Sequence, residues 1–587
     1  MKFSLLKSAV VICTALVTVS VKGTINDSQA KTEEKCKPCE DEYPWSPSAL
    51  GNFSTWAVST DAEQCKNVSR RIYAKNGTTV DAAIATLLCM GVVLPHSMGI
   101  GGGFIATVYS RATKQAKVLI ARETAPMNAT ENMFVNKSIY ASIWGGLAVA
   151  VPGEIRGYDA LHKYLNGTLN WTELFEDAIE LAREGFPVGK HLAAALKEGQ
   201  VVKTALANKT RRFFMKPGTD EVLTEGDALI QEDLAKTLEE IAKNGADHFY
   251  NGNFSVNLVE DIKNNGGIMT VQDLNNYSVK WVDPINFTFQ DNLTMFSAPP
   301  PGSGPVLAYI MGIMDAFRIC GADLPDNEET LHKFTEACKY SYAKRALLGD
   351  VDFVECQEVI DNMTSRKYAE DTKSKINLSH TFDDPKEYGF INETYLPETG
   401  TAHAVFWGED VVISVSSTIN YYFGSLVRTN SGVLLNNEMD DFSTPGRLNI
   451  YKVAPSSANF IKPGKRPMSS MAPVVVVDQD GDGRLALGGT GGSKITSGIG
   501  LVALRTLWQN KSIKNAIDCP RTHHQLIPNL LMVEKNFSQI CETSLRKFGH
   551  NVTRPNGRFN VIMGVNRKEG RLYANADYRK GGDVDGI

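Results

Sequence analysis

Residues 398–403 read ETGTAH. Gly-Thr pairs are common, and taken alone this one means little. Its position gives it weight. Upstream, between residues 150 and 390, helical patterns dominate: TELFEDAIELAREGF, DLAKTLEEIAKNGADHFY and TLHKFTEACKYSYAKRALLGD space their apolar residues three and four apart. Downstream the period falls to two, in AHAVFW, VVISVSST and PVVVVDQDGDGRLALGG, as strands require. Thr401 stands where helices give way to strands, at the open end of the first strand.

A threonine hydroxyl is a weak nucleophile and needs a base. An economical base is its own α-amine, which exists only once the Gly400–Thr401 bond is cut. A free α-amine has a pKa of about 7.7–8.0, so much of it is neutral at mildly alkaline pH. Gly400 supplies the backbone freedom that attack by a neighbouring hydroxyl needs. Self-cleavage, followed by catalysis from an N-terminal threonine, is the chemistry this junction suggests.

Such a site needs further parts. GGTGGSKI, residues 488–495, offers adjacent glycine amides for an oxyanion, although a tight turn is the commoner meaning of such a stretch. Arg122 in ARETAP offers a bidentate fork for a carboxylate. Glu438 and Asp441 in NNEMDDF offer paired carboxylates for an ammonium. Each alone is more often a surface ion pair.

Other stretches read as structure. VDAAIATLLCMGVVLPHSMGIGGGF is a buried helix over Ala82–Val93 ended by Pro95, then a glycine run without the lysine of a phosphate loop or the context of a dinucleotide fingerprint. Those glycines are expected to allow close backbone packing, and FIATVYS to form a strand. DQDGDG begins like a calcium loop, but the twelfth position from Asp478 is Gly489 rather than Glu, and a hairpin turn fits better.

The bulk composition is that of a globular protein long enough for one or two large cores: 587 residues, 43% apolar and 22% charged. A formal net charge of −5 excludes an electrostatic nucleic-acid binder. MKFSLLKSAVVICTALVTVSVKG, residues 1–23, carries Lys2 and Lys7 before an apolar run from Ala9 to Val19. It fits a signal peptide, with an uncleaved anchor as the alternative. Nineteen Asn-X-Ser/Thr sequons, including Asn52, Asn128, Asn166, Asn253, Asn362, Asn510 and Asn551, also favour export; chance would supply roughly five. Residues 24–55 read as a polar linker.

Ten cysteines are few for a disulfide scaffold. In an oxidising compartment Cys65 and Cys89 are candidates to pair, as are Cys519 and Cys541. Cys36-Lys37-Pro38-Cys39 looks like a redox or zinc pair, but no second pair completes a zinc site.

From about Ala57 onward the chain resembles the γ-glutamyltransferase (glutathione hydrolase) family. The resemblance rests on VDAAIATLLCMGVVLPHSMGIGGGF, ARETAP, VPGEIRGYDALH, PPPGSGPVL, GTAH, STINYYFGS, NNEMDDFS, KRPMSSMAP, GGTGGSKI and DYRKGG, in family order. It implies an α/β (α+β) fold, the four-layer αββα sandwich of N-terminal nucleophile hydrolases. It implies autocatalytic cleavage at 400/401 into a large subunit, 56–400, and a small catalytic subunit, 401–587, held together without a linking peptide. It makes Thr401 the nucleophile, positioned by Thr418, with Gly491 and Gly492 as the oxyanion hole. Arg122, aided by Ser469 and Ser470, would bind the α-carboxylate; Glu438 and Asp441 the α-amine; Asn420 the γ-glutamyl head. Residues 442–467 would form a lid, and Cys65 and Cys89 match a disulfide of animal members.

The implied substrates are glutathione and related γ-glutamyl compounds, with water, amino acids or dipeptides as acceptors and no metal or cofactor. The chain departs from the pattern at Val405, where many members have serine; its place in a strand suggests packing. His403 is not counted as catalytic. Two rival functions are another acylase of the same fold, disfavoured by the zwitterion-binding set, and a secreted binding protein without turnover, disfavoured by intact Thr401, Thr418 and both glycines.

Overall fold

The computed structural model describes residues 35–39, 46–198, 209–391, 393–394, 400–448 and 454–587. The expected signal segment, 1–23, lies outside the described residues, as do part of the expected linker, residues 395–399 and part of the expected lid, 449–453.

Two seven-stranded antiparallel sheets stack face to face. The first runs, edge to edge, Gly51–Phe53, Arg571–Ala576, Val561–Lys568, Gly483–Thr490, Val474–Val477, Thr294–Ser297 and Ile285–Thr288. The second runs Asp583–Gly586, Ala57–Thr60, Ala402–Trp407, Val411–Thr418, Gly103–Ser110, Gln115–Ala121 and Lys280–Val282. Each sheet takes strands from both sides of residue 400. The helices-then-strands reading therefore describes local composition, while the sheets weave both halves together.

Strand alternation sorts the side chains into layers. In Ala402–Trp407, Ala402, Ala404 and Phe406 join the core beneath the helices of one outer layer. Val405 and Trp407 face the other way and pack between the sheets with Tyr109, Val412, Val475, Val477 and Val565. Val405 is thus an apolar plug where a hydroxyl would have little water. The second sheet's core includes the helix Thr79–Val93. That helix starts with a reciprocal cap, Thr78 with Asp81, and is buried along almost its whole length. The first sheet's core includes the helices Gly304–Ala316, Glu328–Arg345 and Lys494–Trp508. The result is the expected αββα sandwich.

The DQDGDG stretch is the hairpin turn between Val474–Val477 and Gly483–Thr490, closed by the Asp480 and Asp482 amides donating to Asp478 Oδ1 at 3.1 and 2.9 Å. The glycine run allows close packing, as expected: a Cβ at Gly102 would lie 2.1 Å from the Thr418 carbonyl oxygen.

Two cysteine expectations need correction. Cys36 and Cys39 form neither a redox pair nor a zinc pair, and Cys519 does not pair with Cys541. Cys36 is bonded to Cys541 and Cys39 to Cys519, because residues 35–39 lie against both the helix Gln539–Lys547, which carries Cys541, and the C-terminal end of the helix Ile513–Asp518, which Cys519 caps. Cys65–Cys89 is formed. The stretch read as a linker also contributes the edge strand Gly51–Phe53. Among the described residues no helix is long and apolar enough to cross a membrane.

Candidate active site

Thr401 is 7% exposed, at the mouth of the second sheet. Ala402, the first paired residue of its strand, faces Ser417, so Thr401 and Thr418 each lie one residue beyond that pair, at the same end of the two strands. The junction is forced: Gly400 has φ +109° and Thr401 φ +85°. A β-branched residue at positive φ is strained, since its Cβ crowds its own backbone. Gly400 has no alternative there, because a Cβ would sit 1.6 Å from the Asn420 carbonyl oxygen. The bond expected to break is therefore held in a conformation that breaking it would relax.

Several contacts fix this conformation. Lys580 Nζ donates to the Thr401 carbonyl oxygen at 2.9 Å and pairs with Asp61. Asp61 Oδ2 also accepts the His403 amide at 3.3 Å. Thr418 Oγ1 accepts the Asn420 amide at 2.7 Å, which leaves the threonine's own proton to donate elsewhere. His403 is buried between hydroxyls, with Nδ1 2.9 Å from Ser416 Oγ and Nε2 3.4 Å from Ser414 Oγ. Burial lowers its pKa to about 3, so it is neutral and packs the intersheet core.

The facing sheet brings the glycines. A Cβ at Gly488 would lie 2.0 Å from the His403 ring, so the two strands touch at that point. From Gly488 the chain runs on through Thr490 to Gly491 and Gly492; from His403 it runs back to Thr401. Thr401 and the glycine turn thus lie at the same end of the sandwich. The Gly492 carbonyl accepts the Ile495 amide at 2.9 Å, at the start of the helix Lys494–Trp508. The turn so sits at the positive end of a helix dipole.

Arg122 and both expected carboxylates form one cluster. Arg122 is fully buried, 2.8 Å from Glu438 and 3.7 Å from Glu123, and bonded to Asp441. Its Nε donates to the Pro467 carbonyl at 3.3 Å. Burial alone would lower the arginine's pKa; the carboxylates outweigh that and raise it. Burial pushes Glu438 well above the usual carboxylate range and raises Asp441, against the pull of Arg122. Burial also lifts Glu123 to about 8. Three carboxyls thus share one guanidinium, and an ammonium placed among them would favour their ionised forms.

Asn436 and Asn437 position this cluster. Asn436 Nδ2 donates to the Gly101 and Ala150 carbonyls at 2.8 and 2.9 Å, and its Oδ1 accepts the Glu438 amide at 3.0 Å. The Asn437 carbonyl accepts from Asn420 Nδ2 at 3.2 Å, tying the carboxylate turn to the Thr418 end. Ser469 and Ser470 are buried beside the segment that meets Arg122, but not on Arg122 itself: Ser470 Oγ accepts from Arg345 at 3.0 Å, and Ser469 Oγ accepts the Met471 amide at 3.2 Å. Glu123, Asn436, Asn437, Asp61 and Lys580 were not singled out in the sequence. Three quoted stretches contain four of them: ARETAP, NNEMDDFS and DYRKGG.

One group elsewhere has metal-ligand residue types, His332, Glu336 and His550. Their hydrogen bonds are internal to the fold: His332 with His550 Nε2 and the Asn377 carbonyl at 2.8 and 2.7 Å, Glu336 with Thr381 and Tyr388 at 2.6 and 2.7 Å, while His550 Nδ1 is buried without a hydrogen-bond partner.

The chain is similar to known proteins. The family profile described as Gamma-glutamyltranspeptidase matches residues 65–587. Scoloptoxin SSD14 of Scolopendra dehaani is 44% identical over 92% of this chain and 94% of its own length. Glutathione hydrolase 5 proenzyme of Homo sapiens is 31% identical over 93% of this chain and 94% of its own. Among solved structures, cephalosporin acylase from Bacillus halodurans superposes with a TM-score of 0.79 at 23% identity, over 93% of this chain and 99% of that one, a likeness of fold. Helicobacter pylori gamma-glutamyltranspeptidase gives a TM-score of 0.51 at 32% identity, over 55% of this chain and 92% of that one.

Proposed function

Since this chain belongs to the γ-glutamyltranspeptidase family and is an enzyme of γ-glutamyl transfer and hydrolysis, we propose that it works from Thr401 after cutting itself at Gly400–Thr401. The observation that carries this reading is the strained Gly400–Thr401 junction, at the same strand end as Thr418 and the same end of the sandwich as Gly491–Gly492.

In the precursor, Thr401 Oγ attacks the Gly400 carbonyl carbon, the acyl group moves from nitrogen to oxygen, and water hydrolyses the ester. Gly400 keeps a carboxylate, and Thr401 gains a free amine. The large subunit then ends at Gly400 and includes the arm before residue 56 that carries Cys36 and Cys39; the small one is 401–587, and the two are intertwined because each sheet uses strands of both.

In turnover the substrate's α-carboxylate meets Arg122 and its α-ammonium meets Glu438 and Asp441, in place of the contacts these side chains make with one another. Ser469 and Ser470 line the carboxylate side, and Asn420 steadies the γ-glutamyl head. Thr401 Oγ attacks the γ-carbonyl carbon of glutathione or a related amide while the Thr401 amine takes its proton, with Thr418 holding the pair in place. The oxyanion rests on the Gly491 and Gly492 amides, each such donor being worth about 10²–10³ in rate. The leaving amine departs with the proton. Water, an amino acid or a dipeptide then takes the acyl group from the ester.

The setting we propose is extracellular. Support comes from the disulfides Cys36–Cys541, Cys39–Cys519 and Cys65–Cys89 among the described residues, since disulfides persist in oxidising compartments, and from sequon asparagines such as Asn52, Asn128 and Asn253 that stand exposed. Residues 1–23 either leave as a signal or stay as an anchor.

The test is N-terminal sequencing of the purified chains with a γ-glutamyl anilide assay on the same sample. A chain beginning at Thr401 together with anilide hydrolysis is expected, and Thr401→Ala should leave one uncut, inactive chain. Two subunits in that variant would overturn the reading.

A further inference from the structure

We propose that the large and small subunits remain covalently joined after cleavage, through two disulfides between an N-terminal arm of the large subunit and two helices of the small one. The proposal rests on the processing reading above. Cys36 and Cys39 precede the cut and their partners, Cys541 and Cys519, follow it. Cleavage therefore converts both from bridges within one chain into bridges between two.

The arm is built against the small subunit well beyond the sulfurs. Cys36 is 5% exposed and belongs to the core that holds Trp508, Ile517 and Leu545. Lys511 Nζ donates to the Cys39 carbonyl at 3.5 Å. Ser48 Oγ donates to Asp518 at 3.2 Å and accepts from Lys514 at 3.1 Å. Gly51–Phe53 then pairs with Arg571–Ala576 as the edge of the first sheet. Every partner named here lies after residue 400. The contact does not require the chain to be continuous at 400/401, so cutting there leaves it in place.

The chemistry of the cut does not touch the bridges. Hydrolysis of Gly400–Thr401 consumes one water and makes one carboxylate and one amine; no sulfur changes oxidation state. Only a reductant separates the chains. A dithiol gives two electrons and two protons to each bridge, yielding two cysteine thiols as the dithiol closes to its own disulfide. Joined subunits meet at the effective concentration of a single molecule, so a dilute extracellular enzyme would not lose its small subunit.

The experiment uses the full processed protein, alkylated to block exchange and run on denaturing gels with and without dithiothreitol. One full-length band without reductant, and two with it, the smaller starting at Thr401, is expected. Two bands without reductant would overturn the proposal while leaving the cleavage reading intact. One uncut band under both conditions would overturn the cleavage reading and the joined-subunit proposal with it. Peptide mapping without reduction should recover the Cys36–Cys39 peptide linked to those of Cys541 and Cys519, and its recovery unlinked would also refute the proposal. Cys36→Ser or Cys39→Ser alone should keep the single band, because the other bridge remains. The double variant should release the small subunit without reductant while the anilide is still hydrolysed.

Discussion

Lys580 donates from Nζ to the carbonyl oxygen of Thr401 at 2.9 Å. The same ammonium pairs with Asp61, whose carboxylate accepts the amide of His403. Together they grip the peptide groups on both sides of Ala402 and hold the nucleophile's backbone at its strained angle. Burial lowers the lysine's pKa and raises that of Asp61, so their mutual pairing is what makes the buried charges tolerable.

Lys580→Met should leave most of the chain uncut and lower stability by about 3–5 kcal/mol, since Asp61 would be stranded. The double variant Asp61→Asn, Lys580→Met should regain much of the stability but still cut slowly. Denaturant melts and reducing gels over time would separate the two effects. Cutting at the normal rate in the double variant would mean that the clamp supports the fold alone.

Gly400→Ala should abolish cleavage. Its Cβ would collide with the Asn420 carbonyl, and the backbone at φ +109° is open to few residues besides glycine. A gel showing normal amounts of the small subunit would contradict this.

Arg122→Ala should reduce kcat/KM for γ-glutamyl anilide by roughly 30- to 5,000-fold, carried mainly by KM. That is the about 2–5 kcal/mol expected when one member of a buried charge set is removed. An unchanged KM would take Arg122 out of the binding site.

pH should act through the same cluster. Burial holds Glu123 up at about 8 and raises Glu438 and Asp441. Such carboxyls are protonated below their raised pKa, and only the ionised forms attract an ammonium. The KM for γ-glutamyl anilide should therefore fall as pH rises toward about 8. The Thr401 amine must also lose its proton, so kcat should rise over the same range. Glu123→Gln should flatten the KM profile and leave the kcat limb. For folding the sign is opposite: with its folded pKa above the ordinary 4.5, Glu123 makes the empty enzyme less stable as pH climbs from there to about 8. Melting temperatures with and without a γ-glutamyl ligand should diverge as pH rises.

Much of this molecule is legible from local patterns. Thr78 with Asp81 caps the helix that Pro95 ends, and the spacing of Ala82–Val93 shows it buried. The alternation of AHAVFW gives the strand that Thr401 opens. These are short-range properties: a cap, a period and a missing Cβ are complete within a few residues.

What lies between distant segments is not written that way. Alternation says that His403 and Val405 share a face, but not that the face meets Gly488 and Val475. Four cysteines allow several pairings, and only the path of the arm selects Cys36–Cys541 and Cys39–Cys519. ETGTAH, read with the change from helical to strand period around it, points to the nucleophile and the cleavage bond we propose, because glycine's freedom and threonine's hydroxyl are properties of those two residues. The strain on that bond, the Lys580–Asp61 grip and the charge shared by Arg122, Glu123, Glu438 and Asp441 were decided only by the tertiary structure. Strain, burial and ion pairing exist only where separate parts of the chain close around the same point.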